Sequence, residues 1–170
     1  MSEKKQRYRA VRERLGHLLE GETDWIAALA TVVCELHHEF PHHDWTGFYR
    51  AVSDDLLVIG PYQGTHGCLR IPFSRGVCGA AARTRTTQRV DDISSRADHI
   101  ACSSSTQSEI VVPVLAPTGE ALAVLDVDSN QLAAFDAVDQ SELELLCRDL
   151  GRRFPLGERL RHRAGALPSP

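Results

Sequence analysis

GCLRIPFSRGVCGAAARTRTTQRVDDISSRADHIACSSSTQSEIVVPVLAPTGEALAVLDVDSN, residues 67–130, decides the fold and holds the chemistry. Residues 69–73 have the composition of a short strand, the Ala-rich residues 76–85 that of a short helix, and residues 88–90 that of another strand. Residues 91–108 form a long polar loop with room for one helical turn, and loops of this length are commonly functional. Residues 110–116 and 121–128 flank the turn signal Pro117-Thr118-Gly119 and read as a hairpin. Side chains alternate across a strand, so Asp126 and Asp128 share one face while Leu125 and Val127 point to the core. The stretch carries three of the five cysteines, Cys68, Cys78 and Cys102, together with Glu109 at the start of the hairpin.

Outward from it, the chain supplies what such a hairpin needs to bury itself. Tyr8, Val11, Leu15, Leu18 and Leu19 have helical spacing over residues 4–19. Thr23 or Asp24 can cap a second helix with an apolar face of Ile26, Leu29, Ala30, Val33 and Leu36. Cys34 within that helix reads as a small buried hydrophobe. The aromatic WTGFYRA, residues 45–51, reads as a strand that turns at Ser53-Asp54-Asp55 into a partner at 56–62. A closing helix over 138–154 turns Leu143, Leu146, Leu150 and Phe154 inward, with Cys147 packing beside them. The expectation is an α+β fold: a mostly antiparallel sheet, helices on one face and ligand loops on the other. One domain covers residues 1–154, with an N-terminal helix within 1–20, and a basic tail at 155–170 is expected to be mobile.

With 170 residues, 42% apolar and 25% charged, the chain has the composition of a soluble globular protein. No apolar run nears the ~18 residues that span a bilayer. The charged first residues lack a signal core, and five cysteines without disulfide-scaffold spacing fit a reducing, cytoplasmic setting. The net charge of −4 is uneven: residues 21–147 hold seven arginines against eighteen acids, and both ends are basic. That balance argues against nucleic acid as a partner and suits a site for a cationic group. His37, His38, His42 and His43 read as a solvated helix end or, without cysteines at ligand spacing, as a poorer metal site.

Cys102 sits in a polar loop, after His99-Ile100-Ala101 and before Ser103, where substrate can reach it and His99 can lower its pKa. Cys78 lies at the start of a helix, whose dipole favours a thiolate, and Cys68 lies at a loop–strand junction. A thiol oxidised to a sulfenic acid is resolved by a second thiol, for which Cys68 and Cys78 are the candidates. Two readings stand beside this one: zinc held by these cysteines with His66 or His99, although no Cys-x-x-Cys pair occurs, and cysteines without reactivity. Glu109, Asp126 and Asp128 read either as a convergent acidic site or as solvated acids at a sheet edge. Trp45 and Tyr49, four apart in a strand, are core or pocket wall.

WTGFY, GPYQG, CLRIPFSRGVCGAAA, HIAC, SEIVVPV and VLDVDS, in this order and spacing, resemble the free methionine-(R)-sulfoxide reductases, which are single GAF-domain enzymes. The resemblance covers roughly residues 25–150. It implies Cys102 as nucleophile, Cys68 as resolving thiol and Cys78 as an auxiliary thiol in recycling. It places Glu109, Asp126 and Asp128 at the substrate as the acidic cluster, with Trp45, Tyr49, Ile100 and Ala101 lining the pocket. It further implies thioredoxin as reductant, a homodimer, and no metal or organic cofactor. The chain departs from the pattern at Ser74, Asp98 and Ser103. The other reading within this fold is a non-catalytic module that senses a small ligand or thiol oxidation.

Overall fold

The β-branched and aromatic runs pair into one antiparallel sheet in a computed structural model that describes residues 2–95 and 105–155. The strands are β1 (Trp45–Ala51), β2 (Leu56–Gln63), β3 (Arg70–Pro72), β4 (Gln88–Val90), β5 (Ser108–Leu115) and β6 (Ala121–Ser129), in the spatial order β3-β2-β1-β6-β5-β4. Helices α1 (Glu3–Leu18), α2 (Trp25–Glu39), α3 (Gly76–Thr84) and α4 (Ala137–Arg153) complete the described fold, with one 3-10 turn at Ile93–Ser95. The expected basic tail, from residue 156 on, lies outside the described residues.

Period two gives the sheet two different faces. Phe48 of β1, Ile110, Val112 and Val114 of β5, and Leu125 and Val127 of β6 meet α1, α2 and α4 in one apolar core. Burying each such side chain contributes about 1.5–3 kcal/mol. Gly151 lets α4 lie directly on β5, since a Cβ there would collide with the carbonyl of Leu115. Lys4 clamps α1 to the start of α4 through Asp139 at 2.6 Å and Asp136 at 2.8 Å, while Tyr8 donates to Asp139 at 2.9 Å. Asp136 and Asp139 form a capping box, so the buried Asp139 both caps its helix and binds its neighbour.

The opposite face carries Trp45, Tyr49, Leu57, Val111 and Val124 under α3, which packs through Val77, Cys78, Ala81 and Ala82. Thus three helices cover one face, and a short helix shares the other with loops. Several sequence expectations need correction. The buried stripe of α2 is Trp25, Ala28, Leu29, Val32, Val33 and Leu36, which turns Ile26, Ala30 and Cys34 outward. Cys34 is an exposed thiol, one helical step past Val33. Leu18 is likewise exposed, and Leu19 is buried in its place. His43 is not solvated: it is 2% exposed and stacked on Phe40 at 4.8 Å. No described helix is long and apolar enough to cross a membrane.

Candidate active site

The register of three strands assembles the site. Asp126 and Asp128 of β6 stand opposite Gly47 and Trp45 of β1 on one side, and opposite Val111 and Glu109 of β5 on the other. Directly paired residues share a face, so Glu109, Asp126 and Asp128 lie on the same side as Trp45 and Tyr49. Strand β5 starts at Ser108 rather than at 110, which brings Glu109 inside the ladder, paired with both Asp128 and Val90. Glu109 and Asp126 are buried, and Asp128 is half-buried. These are therefore not solvated edge acids.

From above, α3 lowers Cys78 onto the carboxylates. Its thiol donates to Asp126 Oδ2 at 3.3 Å. One ligand atom from each of Cys78, Glu109 and Asp126 lies within 4.8 Å of the other two. Burial pushes the Asp126 carboxyl up to about 7, against the opposing hydrogen bonds from Cys78 and Glu109. Burial first, then the charges of Asp126 and Asp44, raises Asp128 well above the usual carboxylate range, and a Thr106 hydroxyl bond opposes the rise. The same burial, with Asp126 and Glu109 alongside, raises the Cys78 thiol well above its ordinary value. The thiolate expected from the helix start is thereby overturned. A helix dipole is worth about 0.3–1 kcal/mol, too little against burial beside two carboxylates. Cys78 serves as a thiol donor to Asp126.

Aromatic rings stand on the same face. Trp45 stacks on Tyr49 at 5.8 Å and on Tyr62 at 5.5 Å, and its indole N–H donates to the Thr65 carbonyl at 3.0 Å. Gly47 makes this possible: a Cβ there would meet the Trp45 ring at 2.5 Å and Tyr62 at 2.6 Å. Burial, then the nearby Asp126, raises the Tyr49 phenol, which stays protonated and accepts from the Cys68 backbone N–H. Gly67 keeps the incoming loop close, since a Cβ there would meet Ile59 Cδ1 and the Tyr49 hydroxyl at 2.9 Å.

Of the sequence-derived site residues, the structure gathers Cys78, Glu109, Asp126, Asp128, Trp45 and Tyr49 on one face, with Cys68 beside them in the same apolar cluster. Cys68 is held in a disulfide, whereas Cys34, Cys78 and Cys147 are free thiols. Cys102, His99, Ile100 and Ala101 lie outside the described residues. Sequence reasoning missed Tyr62, Thr106 and Asp44. For Tyr62 the signal was available: a hairpin over 45–63 pairs it with Gly47, whose missing side chain leaves a ring-sized gap.

The family profile described as GAF domain matches residues 25–153. The free methionine-R-sulfoxide reductase of Escherichia coli is 39% identical over 78% of this chain and 79% of that protein. The enzyme of the same name from Saccharomyces cerevisiae is 38% identical over 77% and 76%. Among solved structures, free methionine-R-sulfoxide reductase from Neisseria meningitidis, in complex with its substrate, superposes with a TM-score of 0.84. It is 43% identical and covers 91% of this chain and 92% of its own.

Proposed function

Because this chain belongs to the free methionine-R-sulfoxide reductases of the GAF-domain family, we propose that it reduces free methionine-(R)-sulfoxide to methionine. The observation that carries the reading is the buried carboxyl pair Asp126–Glu109, capped by a thiol and walled by Trp45, Tyr49 and Tyr62. Two buried carboxyl groups that share a hydrogen bond retain a proton near neutral pH. Sulfoxide reduction needs such a proton on its leaving oxygen. The aromatic wall suits a thioether, and the acids suit the ammonium of a free amino acid.

The Cys102 thiolate attacks the sulfoxide sulfur while the carboxyl network, with Glu109 or Asp128 nearest the oxygen, donates the proton. Methionine leaves and Cys102 becomes a sulfenic acid. Cys68 attacks it, forming a disulfide and releasing water. A dithiol reductant of the thioredoxin class then restores both thiols. That Cys68 already stands in a disulfide supports its role as the resolving thiol. Cys78, buried and hydrogen-bonded to Asp126, fits a positioning role in the pocket better than recycling. The working unit is a homodimer in a reducing, cytoplasmic compartment.

The test is turnover with separated epimers of free methionine sulfoxide, read as NADPH consumption through thioredoxin and its reductase. The R epimer should drive consumption in proportion to substrate, and the S epimer and peptide-bound sulfoxide should not. A single oxidation without turnover would instead support the sensing module.

A further inference from the structure

We infer that Cys78, Glu109 and Asp126 form a three-ligand site for a thiophilic divalent cation of the zinc class, which blocks the pocket when bound. A thiol sulfur and two carboxylate oxygens converge within 4.8 Å of one another from three separate elements, α3, β5 and β6. In a tetrahedral zinc site with bonds of about 2.3 Å to sulfur and about 2.1 Å to oxygen, a sulfur and an oxygen stand about 3.6 Å apart. Cys78 Sγ and Asp126 Oδ2 are 3.3 Å apart already, so the ion needs little movement of either. All three side chains are buried, and among the described residues Asp126 Oδ1 has no hydrogen-bond partner.

The chemistry selects the ion. A thiolate ligand disfavours magnesium and calcium, which take oxygen donors at larger coordination numbers. One sulfur and two oxygens leave a fourth tetrahedral position for water. The ion occupies the Asp126 and Glu109 carboxylate oxygens that the substrate would otherwise meet. The blocking half of the inference rests on the reading of this pocket as the substrate site; cation binding does not.

Cobalt(II) is the probe, since a cobalt–thiolate bond produces a near-ultraviolet charge-transfer band that zinc abolishes by displacement. With the reduced full-length chain we expect one equivalent of Co2+ bound with this band. Cys78→Ser should lose the band, and Asp126→Asn should weaken binding tenfold or more, so a folding defect in one variant does not decide the matter. Cys34→Ser and the double variant Cys68→Ser/Cys102→Ser should retain it. A band that survives in Cys78→Ser, or that disappears in the double variant, overturns the site, as does its absence from the parent protein. Free methionine-(R)-sulfoxide should compete with Co2+, and Zn2+ should inhibit competitively. A bound ion that the sulfoxide does not displace keeps the site but removes its blocking role. Tight Co2+ binding to a protein that shows no turnover even when metal-free would sink the reductase reading alone.

Discussion

Asp136 and Asp126 are both aspartates that accept hydrogen bonds, yet they behave in opposite ways. Asp136, at the exposed start of α4, is held at about 2: its slight burial works upward, and Lys4 with the backbone N–H groups of Val138 and Asp139 outweighs it. Asp126, on the α3 side of the sheet, is raised because burial outweighs the opposing hydrogen bonds from Cys78 and Glu109. The helix-covered side thus uses its acids to lock α1 onto α4, with a cation beside them. On the α3 side Asp126 is buried against a thiol and another carboxyl group instead. Acids placed so are poor for stability and useful for chemistry. One sheet carries both regimes because neighbouring residues of β6, Leu125 and Asp126, face opposite ways.

The contrast breaks most sharply with a pair of substitutions, one on the β6 core face and one on the α3 side of β1. Leu125→Ala should cost about 2–5 kcal/mol of stability, since it opens a cavity under three helices. Its kcat/KM near room temperature should stay close to that of the parent, measured alongside a denaturant curve. Gly47→Ala should cost about 1–3 kcal/mol by overpacking, and here the damage should appear in KM, because the added methyl displaces the Trp45 ring. Steady-state kinetics on free methionine-(R)-sulfoxide separate the two.

Asp126→Asn should reverse the pattern, with kcat/KM about tenfold lower or worse, roughly 1.4 kcal/mol, in a protein no less stable than the parent. The sign follows from linkage. A carboxyl whose folded pKa is raised binds more protons folded than unfolded between the two values, so wild-type stability falls as pH rises from about 4 toward 7. The melting temperature of Asp126→Asn relative to wild type should therefore increase across that window. A constant difference would mean that Asp126 is not held protonated by the fold.

Local patterns made the strands legible. Alternation in VLDVDS separated Leu125 and Val127 from Asp126 and Asp128, and WTGFYRA matched β1 end to end. What stayed hidden depends on contacts between distant segments. Cys78 sits near a helix start, the local cue for a thiolate, but burial against the sheet, with Asp126 meeting it from 48 residues away, reverses the cue. In α2 the choice between stripes turned on Trp25, the first helical residue, whose burial rotates Cys34 into solvent. Asp44 and Thr106 come from loops, where no periodicity announces a side chain's direction.

In the proposed mechanism the Cys102 thiol does the reduction while the buried acids and Cys78 serve it. Single-turnover release of methionine from reduced protein, without any recycling system, tests this most directly. Cys68→Ser should still release about one methionine per chain, because its thiol enters only after the first chemical step. Cys102→Ser should release none, since a serine hydroxyl is un-ionised at neutral pH and a poor nucleophile toward sulfur. A burst that survives in Cys102→Ser, or one that vanishes in Cys68→Ser, would contradict the account.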